Sequence, residues 1–91
     1  MNEKRLEAKL RDEVRKLGGM ALKFVSPGIA GVPDRIVLLK GRTWFVEVKS
    51  PGQKPTARQL IVHRQLGSLG HPVWVVDSDE KLTEFLSQLI A

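Results

Sequence analysis

Residues 31–49 read GVPDRIVLLKGRTWFVEVK, and this stretch decides the fold. Its two apolar runs, DRIVLL and TWFVEVK, are rich in β-branched and aromatic residues and flank a short turn at Lys40-Gly41-Arg42. Such runs around a glycine turn are typical of a β-hairpin. The hairpin also carries two acids, Asp34 and Glu47, one in each strand, and these need an explanation.

The charge around the hairpin is strongly basic. The chain has a formal net charge of +5, and residues 20–76 hold eight Lys and Arg but only those two acids. Nucleic-acid affinity is dominated by Lys and Arg that neutralise phosphates. A basic centre around a hairpin therefore favours a polyanionic partner, although a basic surface by itself also occurs for solubility.

Length and composition predict one domain that spans residues 1–91. The 42% of hydrophobic residues can form a core, but a domain of this size is helped by an extra staple. The sequence has no cysteine to supply a disulfide, so we expect oligomerisation to add burial. Without an apolar run of about 18 residues or a leader, an intracellular, cytoplasmic protein is expected.

Hydrophobic periodicity and breakers predict the order α-β-β-β-α-β-α, an α/β fold with a small mixed sheet flanked by helices. We expect helices over residues 2–17 and 56–69 and a last helix capped by Asp77, with Glu80 at the capping-box spacing. Residues 20–25 and 73–76 are predicted as strands beside the hairpin. Trp44 and Trp74 lie in apolar strands and are expected in the core or a dimer contact.

Strand geometry groups the polar residues of the hairpin. Side chains alternate between faces, so Glu47 and Lys49 share one face. If Gly41-Arg42 is the two-residue turn, Asp34 lies opposite Lys49 and Ile36 opposite Glu47. Asp34, Glu47 and Lys49 then project together, whereas a three-residue loop would break this register.

Two carboxylates beside a lysine suit a hard divalent cation. Mg²⁺ takes a few carboxylate oxygens and keeps waters for substrate phosphates, and the lysine can orient a bound water or balance charge in the transition state. The plain alternative is a cross-strand Asp34–Lys49 pair of about 0.2–1 kcal/mol, with Glu47 as a solvated acid. Zinc is disfavoured, because there is no cysteine and no paired histidine spacing.

The wider pattern supports the first interpretation. GVPD at 31–34, FVEVK at 45–49 and Gln59 resemble the PD-(D/E)XK nuclease superfamily, with E-V-K as the (D/E)XK part. The closer resemblance is to its VRR-NUC family, in its small stand-alone form, and includes FVEVKSPGQKPTARQ and LGSLGHPVWVV. The resemblance implies a restriction-endonuclease-like core in a bacterial or phage-encoded protein.

The resemblance also implies roles for particular residues. Asp34 and Glu47 match the metal-binding carboxylates, and the carbonyl of Val48 is a further expected ligand. Lys49 matches the catalytic lysine, and Gln59, on the sheet-facing side of its helix with Val62, Leu66 and Leu69, matches a supporting glutamine.

A glutamate from the first helix is expected near the metal. Glu7 matches best, because it lies twelve residues before Gly19 and on the stripe of Leu10, Val14 and Leu17. Glu3 lies on the same stripe one turn earlier and is the alternative, and a solvated face is the third possibility.

The candidate phosphate contacts are basic residues close to the hairpin and the second helix: Lys54, Arg58, Arg64 and, more distantly, Arg35. Any of them can instead be a solubilising charge. His63 follows Gln59 by one helical turn and could reach substrate, but a histidine on a helix flank is more often a partly buried spacer.

Together these features predict a metal-dependent nuclease that uses Mg²⁺ or Mn²⁺ to hydrolyse DNA phosphodiesters. The resemblance implies a homodimer acting on branched DNA, like a Holliday-junction resolvase. One alternative is a non-catalytic nucleic-acid-binding module on the same fold. Another is a structural subunit whose basic face docks an acidic protein.

Overall fold

The computed structural model describes residues 2–91, and Met1 lies outside the described part. The elements run in the order α1 (Glu3–Lys16), β1 (Met20–Lys23), β2 (Arg35–Leu39), β3 (Arg42–Val48), α2 (Ala57–Ser68), β4 (Val73–Val76) and α3 (Asp79–Leu89). This confirms the predicted α-β-β-β-α-β-α order. None of the helices in residues 2–91 is long and apolar enough to cross a membrane.

The four strands form one mixed sheet in the order β1-β2-β3-β4. The pairs β1–β2 and β2–β3 are antiparallel, whereas β3 and β4 are parallel. A parallel pair needs a crossover connection, and α2 is the helix in that crossover. The predicted α/β class with a small mixed sheet is therefore confirmed.

The main core lies between one face of the sheet and the helices α1 and α3. The members of this core come from α1, the four-stranded sheet and α3: Leu6, Leu10, Val14, Val37, Leu39, Val46, Val48, Val76, Leu82, Phe85 and Leu89. Trp44 and Trp74 pack on it, each with its ring edge-on to the fully buried Phe85. Both tryptophans are thus packed against the core, which was one of the two positions predicted for them.

Helix α2 lies on the opposite face of the sheet and is covered much less. Val62 is its buried residue, while Leu69, predicted on the sheet-facing side, is 74% exposed at the C-terminal cap. The prediction that Leu69 packs on the sheet is wrong, because α2 contacts mainly the β4 edge of the sheet and leaves its C-terminal cap in solvent. This face contains the polar residues of the hairpin, since Glu47 points away from Val46 and Val48.

The hairpin register differs from the prediction. The turn residues are Lys40 and Gly41, both with positive φ (49° and 76°), as a type I′ turn requires. Leu39 therefore pairs with Arg42 and Arg35 with Val46, which places Asp34 opposite Glu47 rather than opposite Lys49. The shift is two residues, an even number, so each side chain keeps its predicted face.

The N-terminus of α3 is also one residue later than expected. Ser78, not Asp77, is the N-cap, and its hydroxyl accepts a hydrogen bond of 3.1 Å from the amide of Lys81. Asp77 follows β4 directly, and the helix begins at Asp79. Glu80 consequently lies in the first turn, where its negative charge interacts favourably with the positive end of the helix dipole.

Candidate active site

Asp34 is held at the start of β2 by contacts on both sides. Its carbonyl accepts a hydrogen bond of 2.8 Å from the amide of Phe24, and the preceding Pro33 is buried. Its Oδ2 accepts a hydrogen bond of 2.9 Å from the amide of Val48. The carboxylate is therefore fixed across the hairpin, directly opposite Glu47.

Glu47 is the centre of the site. Its side chain is 1% exposed, although it is a carboxylate on a sheet face. Oε2 accepts a hydrogen bond of 3.1 Å from Nε2 of Gln59 and lies 3.8 Å from Nζ of Lys49. Oε1 lies 3.6 Å from Nε2 of His63. Strand β3 supplies the acid, Lys49 directly follows the last residue of that strand, and α2 supplies the other two groups.

The orientation of the Gln59 amide is determined by the start of α2. The hydroxyl of Thr56 caps the helix by accepting a hydrogen bond of 3.2 Å from the backbone amide of Gln59. In return, the side-chain Oε1 of Gln59 accepts a hydrogen bond of 2.9 Å from the backbone amide of Thr56. This reciprocal capping box uses the acceptor of the side-chain amide. The side-chain NH₂ group of Gln59 is therefore free to donate to Glu47. The Thr-x-x-Gln spacing of residues 56–59 is the sequence signal for this capping box.

Burial raises the pKa of Glu47 to about 8, and the neighbouring Asp34 carboxyl adds to the rise. Lys49 opposes it, since a nearby positive charge favours the ionised form. With its pKa at about 8, the buried Glu47 carboxyl keeps its proton at neutral pH in the absence of a nearby divalent cation. A bound divalent cation would offset the cost of burying the ionised Glu47 carboxylate beside Asp34.

The histidine in the site is held uncharged. Burial lowers the pKa of His63, and the positive charge of Lys49 lowers it further, while Asp34 acts in the opposite direction. The side chain of His63 is 10% exposed. At neutral pH it therefore faces Glu47 as a neutral imidazole with one N–H donor.

The first helix brings two glutamates to different positions. Glu7 accepts from Arg35, at 2.9 Å to both Nε and Nη2, and Arg35 also donates to the carbonyl of Ala21 at 3.0 Å. The charge of Glu3, by contrast, is among those that raise the pKa of Glu47. The structure thus brings Glu3 into the electrostatic reach of the site and directs Glu7 to Arg35. Sequence phase alone does not distinguish the two, since both lie on one stripe.

The predicted phosphate contacts separate into two groups. Lys54, Arg58 and Arg64 are exposed, the first in the loop before α2 and the others on α2. Gly31 packs its backbone against Arg58, where an added Cβ would come within 3.0 Å of that residue's carbonyl, so the loop before Asp34 contacts the first turn of α2. Arg35 has an 8% exposed side chain and its donors are used by Glu7 and Ala21. It is not placed to contact DNA.

The donor set fits a hard cation that keeps most of its waters. No cluster of three His, Cys, Asp or Glu side chains that could hold a metal occurs within residues 2–91. Asp34 and Glu47 provide two facing carboxylates, and Glu47 Oε1 is buried with no hydrogen-bond partner among the described residues. Mg²⁺ is commonly bound by one or two carboxylates, with waters and substrate phosphates completing the shell.

The chain is similar to known proteins in both sequence and structure. "Putative nuclease p44" of Acyrthosiphon pisum secondary endosymbiont phage 1 is 54% identical over 81 residues, which is 88% of this chain and 87% of that protein. A solved structure described as a VRR_NUC domain superposes with a TM-score of 0.86 at 32% identity, and covers 93% of this chain and 94% of its own. No family model matches the chain.

Proposed function

This chain belongs to the VRR-NUC family of nucleases, and on that premise we propose that it hydrolyses DNA phosphodiesters at Asp34, Glu47 and Lys49 with a bound Mg²⁺ or Mn²⁺. The observation that carries the proposal is the burial of Glu47 against Asp34, with its pKa raised to about 8. Such a pair is costly in an ordinary protein interior and favourable beside a divalent cation.

Asp34 and Glu47 hold the cation, and the carbonyl of Val48 is the further ligand in this proposal. Val48 is the last residue of β3 and lies between Glu47 and Lys49, and its amide already fixes Asp34 through the 2.9 Å hydrogen bond. A bound divalent cation supplies Lewis acidity, which polarises the phosphate and lowers the pKa of its water. Gln59 keeps Glu47 in the required rotamer by donating to Oε2.

Lys49 acts on the substrate side of the pair. Its Nζ lies 3.8 Å from Oε2 of Glu47, and its side chain is 14% exposed, whereas that of Glu47 is 1% exposed, so Lys49 is the member of this pair that remains open to solvent. An ammonium in this position donates to the attacking water or to the phosphate oxygens, on which negative charge increases in the transition state. In contrast to the carboxylates, Lys49 is needed for cleavage more than for cation binding.

In this proposal, DNA is bound by the exposed basic side chains in and next to α2. Lys54 lies in the loop before α2, Arg58 and Arg64 lie on α2 with Gln59, and the first turn of α2 contains no acid. Phosphate contacts of this kind position a duplex without reading its sequence.

The preferred substrate in this proposal is branched DNA, cut by a homodimer that offers one site to each of two strands. Support comes from three exposed apolar side chains on the sheet face that also carries Glu47. Met20, Leu22 and Leu38 are 58%, 41% and 36% exposed, and the register places them together on β1 and β2. We call these three residues the β1–β2 apolar patch, and a second copy of the chain would cover it.

The test is cleavage of labelled four-way junction, flap and duplex DNA in Mg²⁺ or Mn²⁺. Wild type should cut, whereas Asp34→Asn and Lys49→Met should bind the same DNA and lose cleavage by at least about 10²-fold, the usual scale for such catalytic groups. Lys81→Met is the matched control, because Lys81 is an exposed residue of α3 paired with Glu84. Binding without cleavage by the wild type, in either metal, would instead identify a non-catalytic binding module.

A further inference from the structure

Two buried polar atoms of the site face each other without a hydrogen bond. Oε1 of Glu47 and Nε2 of His63 are 3.6 Å apart, and neither has a partner elsewhere in residues 2–91. An unsatisfied buried polar group costs about 1–3 kcal/mol, and such groups are rare in folded proteins. A facing pair in a catalytic centre therefore points to a contact that forms in another state of the site.

The geometry of α2 explains how His63 reaches this position. It lies four residues after Gln59, so both side chains leave the same face of the helix one turn apart. Gln59 donates to Oε2 of Glu47, and His63 faces Oε1. One helix thus directs a donor at each oxygen of one carboxylate.

The chemistry of the two groups is complementary when Glu47 acts as a carboxylate ligand. An ionised carboxylate only accepts hydrogen bonds, and a neutral imidazole protonated at Nε2 can donate one. The separation of 3.6 Å exceeds a hydrogen bond, and a small rotation of either side chain would close it. Hydrogen bonds in catalytic sites are often long without ligands and tighten in the loaded enzyme.

We propose that His63 is a positioning residue that donates from Nε2 to Oε1 of Glu47, and that His63 and Gln59 together fix the rotamer in which Glu47 holds the divalent cation. The inference rests on the proposed function, because it requires Glu47 to bind a cation. His63 does not contact the reacting atoms in this proposal. Partners that orient a metal-binding carboxylate typically change metal affinity by about 10–100-fold when they are removed.

The experiment is a calorimetric titration of Mn²⁺ into the metal-free protein. His63→Leu keeps the approximate volume and removes the donor, so Mn²⁺ affinity should fall by about 10–100-fold. His63→Gln restores an N–H near the position of Nε2 and should bind Mn²⁺ close to the wild-type value. His63→Asn, whose amide reaches only the position of Nδ1, should not recover. His71→Leu is the control, since His71 lies in the turn before β4, outside the site.

A second readout follows the contact itself. In a proton NMR spectrum of the Mg²⁺-loaded wild type, the Nε2 proton of His63 should become slowly exchanging and shift downfield, as a new hydrogen bond requires. Wild-type Mn²⁺ affinity in His63→Leu would overturn the positioning role. Equal losses in His63→Leu and His63→Gln would show that an N–H at this position does not restore Mn²⁺ binding, and would overturn the donor role as well. If the wild type binds no Mn²⁺, the proposed function itself fails and the role of His63 with it.

Discussion

At the scale of single residues, Glu47 should link folding stability to pH. In the metal-free protein its pKa is raised from 4.5 to about 8. The folded state then keeps a proton that the unfolded chain releases, so the free energy of unfolding should fall as the pH rises from 4.5 towards 8. Urea denaturation in EDTA across this range measures the decline.

Glu47→Gln isolates this contribution, because the amide cannot ionise. The variant should lose most of the decline and be more stable than wild type near pH 8. Glu84→Gln, at an exposed acid of α3, should follow the wild-type curve. Parallel curves for wild type and Glu47→Gln would contradict the raised pKa and show that Glu47 ionises near its ordinary value.

The two glutamates of α1 should separate into a functional and a structural residue. Glu3 influences Glu47 through its charge, so Glu3→Ala should weaken Mn²⁺ binding with little effect on folding. Glu7→Ala leaves the buried Arg35 without its anionic partner and should cost about 1–3 kcal/mol of stability. Calorimetry for Mn²⁺ and urea denaturation for stability give both values. Weaker Mn²⁺ binding in Glu7→Ala, with a loss of stability in Glu3→Ala, would instead identify Glu7 as the metal-site residue of α1.

At the scale of elements, the start of α2 connects helix capping to catalysis. Thr56→Ala removes the cap and should destabilise the protein by about 0.5–2 kcal/mol. Gln59→Glu retains the capping-box acceptor but replaces the donor to Glu47 with a negative charge. We therefore expect Gln59→Glu to fold and to lose cleavage more strongly than Thr56→Ala does. Thermal unfolding and junction cleavage of both variants test this, and full activity in Gln59→Glu would contradict it.

Strand geometry explains why much of the site was predictable from the sequence. Side chains alternate with a period of two, so the predicted register, wrong by two residues, still placed Asp34, Glu47 and Lys49 on one face. The turn itself was misassigned because Lys40, a non-glycine residue, adopts positive φ. The period of an amphipathic helix likewise brought Gln59 to the sheet.

Other features depend on how elements pack and were not available from the pattern. The choice between Glu3 and Glu7 depends on how α1 crosses the sheet, and the interior position of Arg35 depends on the partner that α1 presents. Periodicity does not encode either. The exposure of Leu69 has the same origin, since α2 contacts mainly the β4 edge of the sheet.

At the scale of the whole molecule, the β1–β2 apolar patch should determine the oligomeric state. Leu22→Glu places a charge in the patch and should convert the proposed dimer into a monomer, measured by light scattering. Junction cleavage should fall, since the two sites are no longer coupled. Ile90→Glu, an equally apolar exposed residue at the end of α3, should remain dimeric. A monomeric wild type that still resolves junctions would contradict the dimer.

The most direct single measurement is anomalous X-ray scattering from a crystal of the wild-type protein soaked in Mn²⁺. The expected result is a peak between Asp34 and Glu47, with carboxylate oxygens at roughly 2–2.3 Å and water completing the shell. A crystal that shows no Mn²⁺ at this pair, or shows it only at other acids, would contradict the metal-dependent nuclease centre proposed for these residues.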